Sequence, residues 1–209
     1  MFLFVLFLKG DEAVKILGIT GPTGAGKSVV RTILETKNIP CIDADGVYHS
    51  LLIPPSVCLV DIQKAFGNGV FASDGTLDRA KLGTLVFNDR DKLELLNKTV
   101  LCHVLNKIRE MIKEYEQKGF DTVAVDAPTL IESGFNAECT IVISVLAPYE
   151  DRLDRIIQRD SLTKERAELR LHAQKGDDFY KQHSDFVIVN DKNFEKLKKD
   201  TLDILDNIK

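Results

Sequence analysis

Five short runs of apolar, largely β-branched residues recur along the chain, at positions 15–20, 40–44, 122–126, 140–145 and 186–189. They lack the strict alternation of a half-exposed strand. Near-continuous apolar runs of this length predict parallel strands covered on both faces. Between them the period changes. Over positions 91–118, Leu93, Leu96, Val100, Leu101, Val104, Ile108, Met111, Ile112 and Tyr115 return every three or four residues, which predicts one long amphipathic helix. Strands alternating with helices predict an α/β fold, a parallel sheet of about five strands flanked by helices and joined by right-handed crossovers.

The spacing of the strands is uneven. A strand–helix–strand unit needs roughly 30 residues, yet the second and third predicted strands are separated by a much longer stretch. It carries the turn signals Ile53-Pro54-Pro55, Phe66-Gly67-Asn68-Gly69 and Asp74-Gly75. The expectation is a helical insertion at 46–120, rising from the carboxyl edge of the sheet, where open α/β folds bind ligands. The core is then formed by 15–45 and 121–209, in line with a length of 209 residues. Residues 1–14 form a separate extension whose first eight positions are apolar. Eight residues are too few to span a bilayer, and an extra edge strand, an apolar tail or an upstream start codon all fit.

Composition narrows the classes. With 44% hydrophobic and 29% charged residues, the chain has enough apolar material for a core without metal or disulfide staples. A formal net charge of −4 argues against binding nucleic acid by bulk attraction, so any anionic ligand must meet local positive charge. Cys41, Cys58, Cys102 and Cys139 form no Cys-x-x-Cys pair, which removes the zinc-ribbon reading and points to free thiols in the cytoplasm. His49, His103, His172 and His183 show no metal-ligand spacing, and His103 reads as a packed helix residue.

The chemistry concentrates in Gly21-Pro22-Thr23-Gly24-Ala25-Gly26-Lys27-Ser28, which fits G-x-x-x-x-G-K-[ST] at every fixed position. It follows an apolar strand and precedes a helical pattern opened by Val29. Glycines let backbone N–H groups turn onto phosphates at a helix amino terminus. Lys27 reaches the β- and γ-phosphates of a bound ATP, and Ser28 joins a Mg²⁺ shell. Further on, Asp43 and Asp45 end the second predicted strand; one carboxylate there can orient Mg²⁺ or accept a proton, while the competing reading makes Asp45 a helix cap. Asp126 closes a hydrophobic strand, as a carboxylate near Mg²⁺ would. Arg155 and Arg159 stand one turn apart on a helical pattern, suited either to phosphate charge or to a solvated face shared with Glu150, Asp151 and Asp154.

From about Ile16 to Asn190, the order of these segments resembles the dephospho-CoA kinase family. The likeness is carried by Leu17-Gly18-Ile19-Thr20-Gly21, Ile42-Asp43-Ala44-Asp45, Asp74-Gly75-Thr76-Leu77-Asp78-Arg79, Leu96-Asn97 with His103, and Asp126-Ala127-Pro128 with Leu130 and Glu132. Arg155-Ile156-Ile157-Gln158-Arg159-Asp160, Ala173-Gln174 and Asp185-Phe186-Val187-Ile188-Val189-Asn190 complete it. The resemblance implies a P-loop kinase that uses ATP and Mg²⁺ to phosphorylate the ribose 3′-hydroxyl of dephospho-CoA. It makes Asp45 the base, sets Arg79 and His103 with Asp126 against the acceptor, and brings Arg155 and Arg159 from a lid at about 149–180. Asn190 falls near the adenine. A monomer or small homo-oligomer acting without nucleic acid or membrane is expected. Val104, Thr129 and Tyr180 depart from the family pattern, and Tyr180 replaces a customary arginine in the lid. Related nucleoside or nucleotide kinases and a nucleotide-dependent switch are the alternatives; the switch lacks its N-K-x-D and D-x-x-G segments.

Overall fold

The computed structural model describes residues 13–87, 89–191 and 193–207. The apolar run at 1–8 lies outside them. In chain order the elements are β1 (Lys15–Thr20), α1 (Lys27–Thr36), β2 (Cys41–Asp43), α2 (Ala44–Leu51), α3 (Val57–Phe66), α4 (Arg79–Phe87) and α5 (Arg90–Gln117). Then follow β3 (Thr122–Asp126), β4 (Ile141–Leu146), α6 (Tyr149–Asp160), α7 (Lys164–His172), α8 (Asp177–Gln182), β5 (Phe186–Val189) and α9 (Phe194–Asn207).

The strands form one parallel sheet in the order β2-β3-β1-β4-β5. Successive side chains of a strand point to opposite faces, and along β1, β3 and β4 both faces are covered. Leu17, Ile19, Ala124, Ile143 and Val145 pack with Val30 and Leu34 of α1 and with Leu197, Ile204 and Leu205 of α9. The interleaved Val123, Val125 and Val142 pack on the other face with Val100, Val104, Ile108 and Ile112 of α5. That two-sided burial explains why these three strands read as continuous apolar runs. Leu153, Ile156, Ala167 and Leu171 make a small third cluster that joins α6 to α7.

Three strands match their predicted bounds. The second is shorter at both ends: Pro40 contributes only its carbonyl, accepting from the Ala124 amide at 2.9 Å, and Ala44 is drawn into α2. The fourth begins one residue late, although Thr140 still pairs its main chain with Ile16 at 2.8 Å. The stretch between β2 and β3 is helical, as expected. Its turn at Asp74-Gly75 is locked by the Asp74 carboxylate, which accepts from the Thr76 amide at 2.9 Å and from its hydroxyl at 2.6 Å. Asp89 caps the long α5 by accepting from the Lys92 amide at 3.1 Å. Among the described residues, no helix is long and apolar enough to cross a membrane.

Candidate active site

The strand order reverses at β1, and the chain leaving its carboxyl end forms the glycine loop, where a doubly wound sheet opens a crevice. Two glycines are required there by geometry. Gly21 has φ +133° and a Cβ on it would run into the Val145 carbonyl; Gly26 has φ +104° and a Cβ would run into the Asn190 amide. Gly26 is also the N-cap of α1, and no side chain caps that helix. Its first amides thus remain directed at an anion.

The loop is held from outside by distant residues. Arg155 donates to the carbonyls of Gly24 at 2.9 Å and Ala25 at 3.3 Å. Asn190, buried at the end of β5, donates to Ala25 O at 2.9 Å. Gln174, between α7 and α8, accepts from the Thr23 amide at 2.8 Å. Lys27 turns back on its own loop, donating to Gly21 O at 2.8 Å and Pro22 O at 3.4 Å. Burial pushes its ammonium below the usual lysine range, opposed by Asp126 and Asp45 and reinforced by Arg159.

Facing the loop are the carboxylates. The β2–β3 register sets Asp43 beside Asp126, and the β1–β3 register sets Asp126 beside Ile19. Asp126 is buried, and its Oδ1 has no hydrogen-bond partner among the described residues. Burial raises its pKa to about 6; Lys27 and Arg31 pull it down, while Asp43 and Asp45 add to the rise. The helix-cap question is answered here. Asp43 is the N-cap of α2, its Oδ1 accepting from the Gly46 amide at 3.1 Å, so Asp45 is released from that duty and sits in the first turn. The segment is no longer extended at Asp45, and the two carboxylates reach the same cleft from a strand end and a helix start.

A cleft of about 960 Å³ brings these groups together. Its walls include Thr23, Gly24, Gly26, Lys27, Ser28, Val29, Asp43, Asp45, Asp126, Arg155, Arg159 and Asn190 from the expected set. Gly21, Pro22 and Ala25 lie behind that surface in the same loop. Arg159 is pinned by a two-pronged pair with Asp160, at 2.8 and 2.9 Å, which holds its guanidinium above its usual pKa. Arg79 and His103 are not among the cleft-lining residues. Arg79 is exposed at the start of α4, and His103 Nε2 lies 2.9 Å from Asp61 Oδ2, joining α5 to α3. Tyr180 is buried and also away from the cleft, with its hydroxyl pushed up to about 12 by burial.

Some wall residues were not picked out from the sequence. Arg31, Arg170 and Phe194 line the cleft. Arg31 had one readable signal: it lies four residues after Lys27, on the same helix face.

A family model described as dephospho-CoA kinase matches residues 15–196. A dephospho-CoA kinase from Listeria monocytogenes is 35% identical over 88% of this chain and 92% of its own. A crystal structure from Thermus thermophilus superposes with a TM-score of 0.79 at 27% identity, covering 95% of this chain and 100% of that one. For a dephospho-CoA kinase from Campylobacter jejuni the TM-score is 0.67 at 26% identity, with 92% and 96% of the two chains covered.

Proposed function

Because this chain belongs to the dephospho-CoA kinase family and carries out ATP-dependent phosphorylation of dephospho-CoA, a step of coenzyme A synthesis, we propose that the transfer takes place in the cleft above β1. The observation that carries this reading is that Asp45, relieved of capping by Asp43, shares one cleft with Lys27 and the uncapped start of α1.

The roles follow from the chemistry. The glycine-loop amides and Lys27 hold the β- and γ-phosphates, and their placement before the reaction limits the reorganisation needed as charge develops. Asp45 accepts the proton of the ribose 3′-hydroxyl. The hydroxyl oxygen forms its bond to the γ-phosphorus as the bond from that phosphorus to the bridging oxygen breaks, and ADP leaves. Arg159 supplies positive charge to the transferring group, and Arg155 and Asn190 keep the loop in shape from behind. Ser28 and Asp126 would hold Mg²⁺, which when bound neutralises charge between the β- and γ-phosphates. The unpartnered, buried Asp126 Oδ1 is the feature that fits a cation there.

The helices over 46–120 form the acceptor-binding insertion in this reading, with Arg79 and His103 as its polar contacts, and 149–180 forms the lid. Cys41, Cys58, Cys102 and Cys139 are all free thiols, which fits a reducing, cytoplasmic setting; a monomer or small homo-oligomer is part of the same reading.

The test is ADP release from MgATP with dephospho-CoA against a panel of nucleosides and nucleoside monophosphates. Dephospho-CoA is expected to give the highest kcat/KM, with a product carrying a new 3′-phosphate by mass and phosphorus NMR. Preference for a nucleoside or nucleotide acceptor contradicts the reading.

A further inference from the structure

We propose that Arg31 is a positioning residue for the transfer: its guanidinium ties Asp43 to Asp126 and thereby sets the first turn of α2, with Asp45 on it, against the phosphate loop. The inference rests on the functional reading above, because it takes Asp45 as the base.

Each link has its own geometry. Arg31 lies on α1, one turn beyond Lys27, so the helix that presents the phosphate-binding lysine presents this guanidinium as well. Nη1 of Arg31 donates to Asp43 Oδ2 at 3.1 Å and stands 3.9 Å from Asp126 Oδ2. Nε lies 4.0 Å from Glu35 Oε1 on the same helix. Asp43 has both oxygens engaged, Oδ2 by Arg31 and Oδ1 by the Gly46 amide at 3.1 Å. Turning that carboxylate away from Arg31 therefore also undoes the cap of α2. Asp45 is two residues along the chain from the cap, and among the described residues its own carboxylate takes no hydrogen bond, so its place follows from the helix start.

Arg31 thus connects the three elements that carry the site: α1, the β2–α2 junction and the end of β3. An exposed ion pair by itself contributes little to stability. Here one side of the bridge is exposed and the other, Asp126, has a side chain only 11% exposed. The gain is in placement, where displacements near 1 Å matter to rate. An ammonium cannot replace it, since lysine offers a single point of charge where the guanidinium offers a rigid fork.

The experiment uses the full chain with Arg31→Ala and Arg31→Lys, steady-state kinetics on both substrates, and amide hydrogen exchange. Arg31→Ala is expected to lower kcat about 10–100-fold, with the ATP Michaelis constant held within about twofold. Exchange should quicken in residues 44–48 and stay at the parent level in 27–36 and 186–189. Added guanidinium should restore part of the lost kcat in Arg31→Ala, and Arg31→Lys should recover little. If Arg31→Ala does not fold, Arg31→Gln carries the same readouts. A variant at the parent kcat overturns the inference. So does a fall spread over kcat and both Michaelis constants with faster exchange along the whole chain, which is loss of structure alone. A parent enzyme that leaves dephospho-CoA unphosphorylated contradicts the functional reading; an active parent matched by Arg31→Ala contradicts only this inference.

Discussion

In the phosphate loop, Thr23, Gly24 and Ala25 are held by contacts from α6, the α7–α8 connection and the residue that follows β5: Arg155 to Gly24 and Ala25, Gln174 to Thr23, and Asn190 to Ala25. In the helices between β2 and β3 the polar residues expected at the acceptor are arranged otherwise. Arg79 is exposed, and His103 is engaged with Asp61 on the neighbouring helix rather than with the cleft. The loop contacts fix the nucleotide side, so in the proposed reading its interactions act on the transition state with little rearrangement. In the same reading Arg79 and His103, which do not line the cleft, would contribute to acceptor binding rather than to the transferring group.

The largest effect should come from the organised side. Lys27→Ala removes the charge that the proposed reading sets against the β- and γ-phosphates, and kcat is expected to fall about 10³-fold while circular dichroism shows the parent fold. A folded variant with near-parent turnover would break the comparison at its stronger end. Arg79→Ala tests the other end. It should raise the Michaelis constant for dephospho-CoA about tenfold, the worth of one charge-assisted contact, and leave kcat near the parent value. A loss confined to kcat would place Arg79 at the transferring group and remove the contrast between the two sides.

A smaller, thermodynamic effect sharpens the picture of the cleft floor. Asp126 has a folded-state pKa of about 6, above the ordinary aspartate value of 3.8, because of its burial. The folded protein therefore holds this proton more tightly than the unfolded chain. Its contribution to stability is present below the ordinary value and is lost as pH rises through the folded one. Asp126→Asn does not titrate, so the ligand-free variant should gain on the parent by about 2 kcal/mol between pH 4 and pH 7. Chemical denaturation at several pH values reads this directly. A stability difference that stays flat across that range means Asp126 titrates as an ordinary carboxylate.

Legibility in the sequence followed the range of the interactions. In β1, β3 and β4 the sheet was readable because burial on two faces leaves an unbroken apolar run; 15–20, 122–126 and 186–189 were placed to the residue, the last although Val187 and Val189 of β5 are exposed. The second strand was not, since its limits depend on a proline that pairs only by its carbonyl and an aspartate that turns to cap a helix. The glycine loop was readable because one contiguous motif carries its chemistry. The carboxylate side was only half so: Asp43 and Asp45 both stood out, but which one caps α2 is decided by the three-dimensional path of the chain. Arg31 was missed because its partners come from β2 and β3, and Gln174 stood out only as part of a family-like segment because Thr23 is 151 residues away. Tyr180 stood out as a departure from a customary lid arginine, and its side chain is buried and does not line the cleft.

The central claim is that Asp45, placed by the Asp43 cap, takes the proton from the acceptor hydroxyl. Single-turnover phosphoryl transfer from MgATP to saturating dephospho-CoA tests it in Asp45→Asn, a change that keeps size and hydrogen-bonding reach while removing most basicity. The account predicts a chemical step slowed about 10²–10⁴-fold, with dephospho-CoA affinity little changed. Transfer at nearly the parent rate would contradict it.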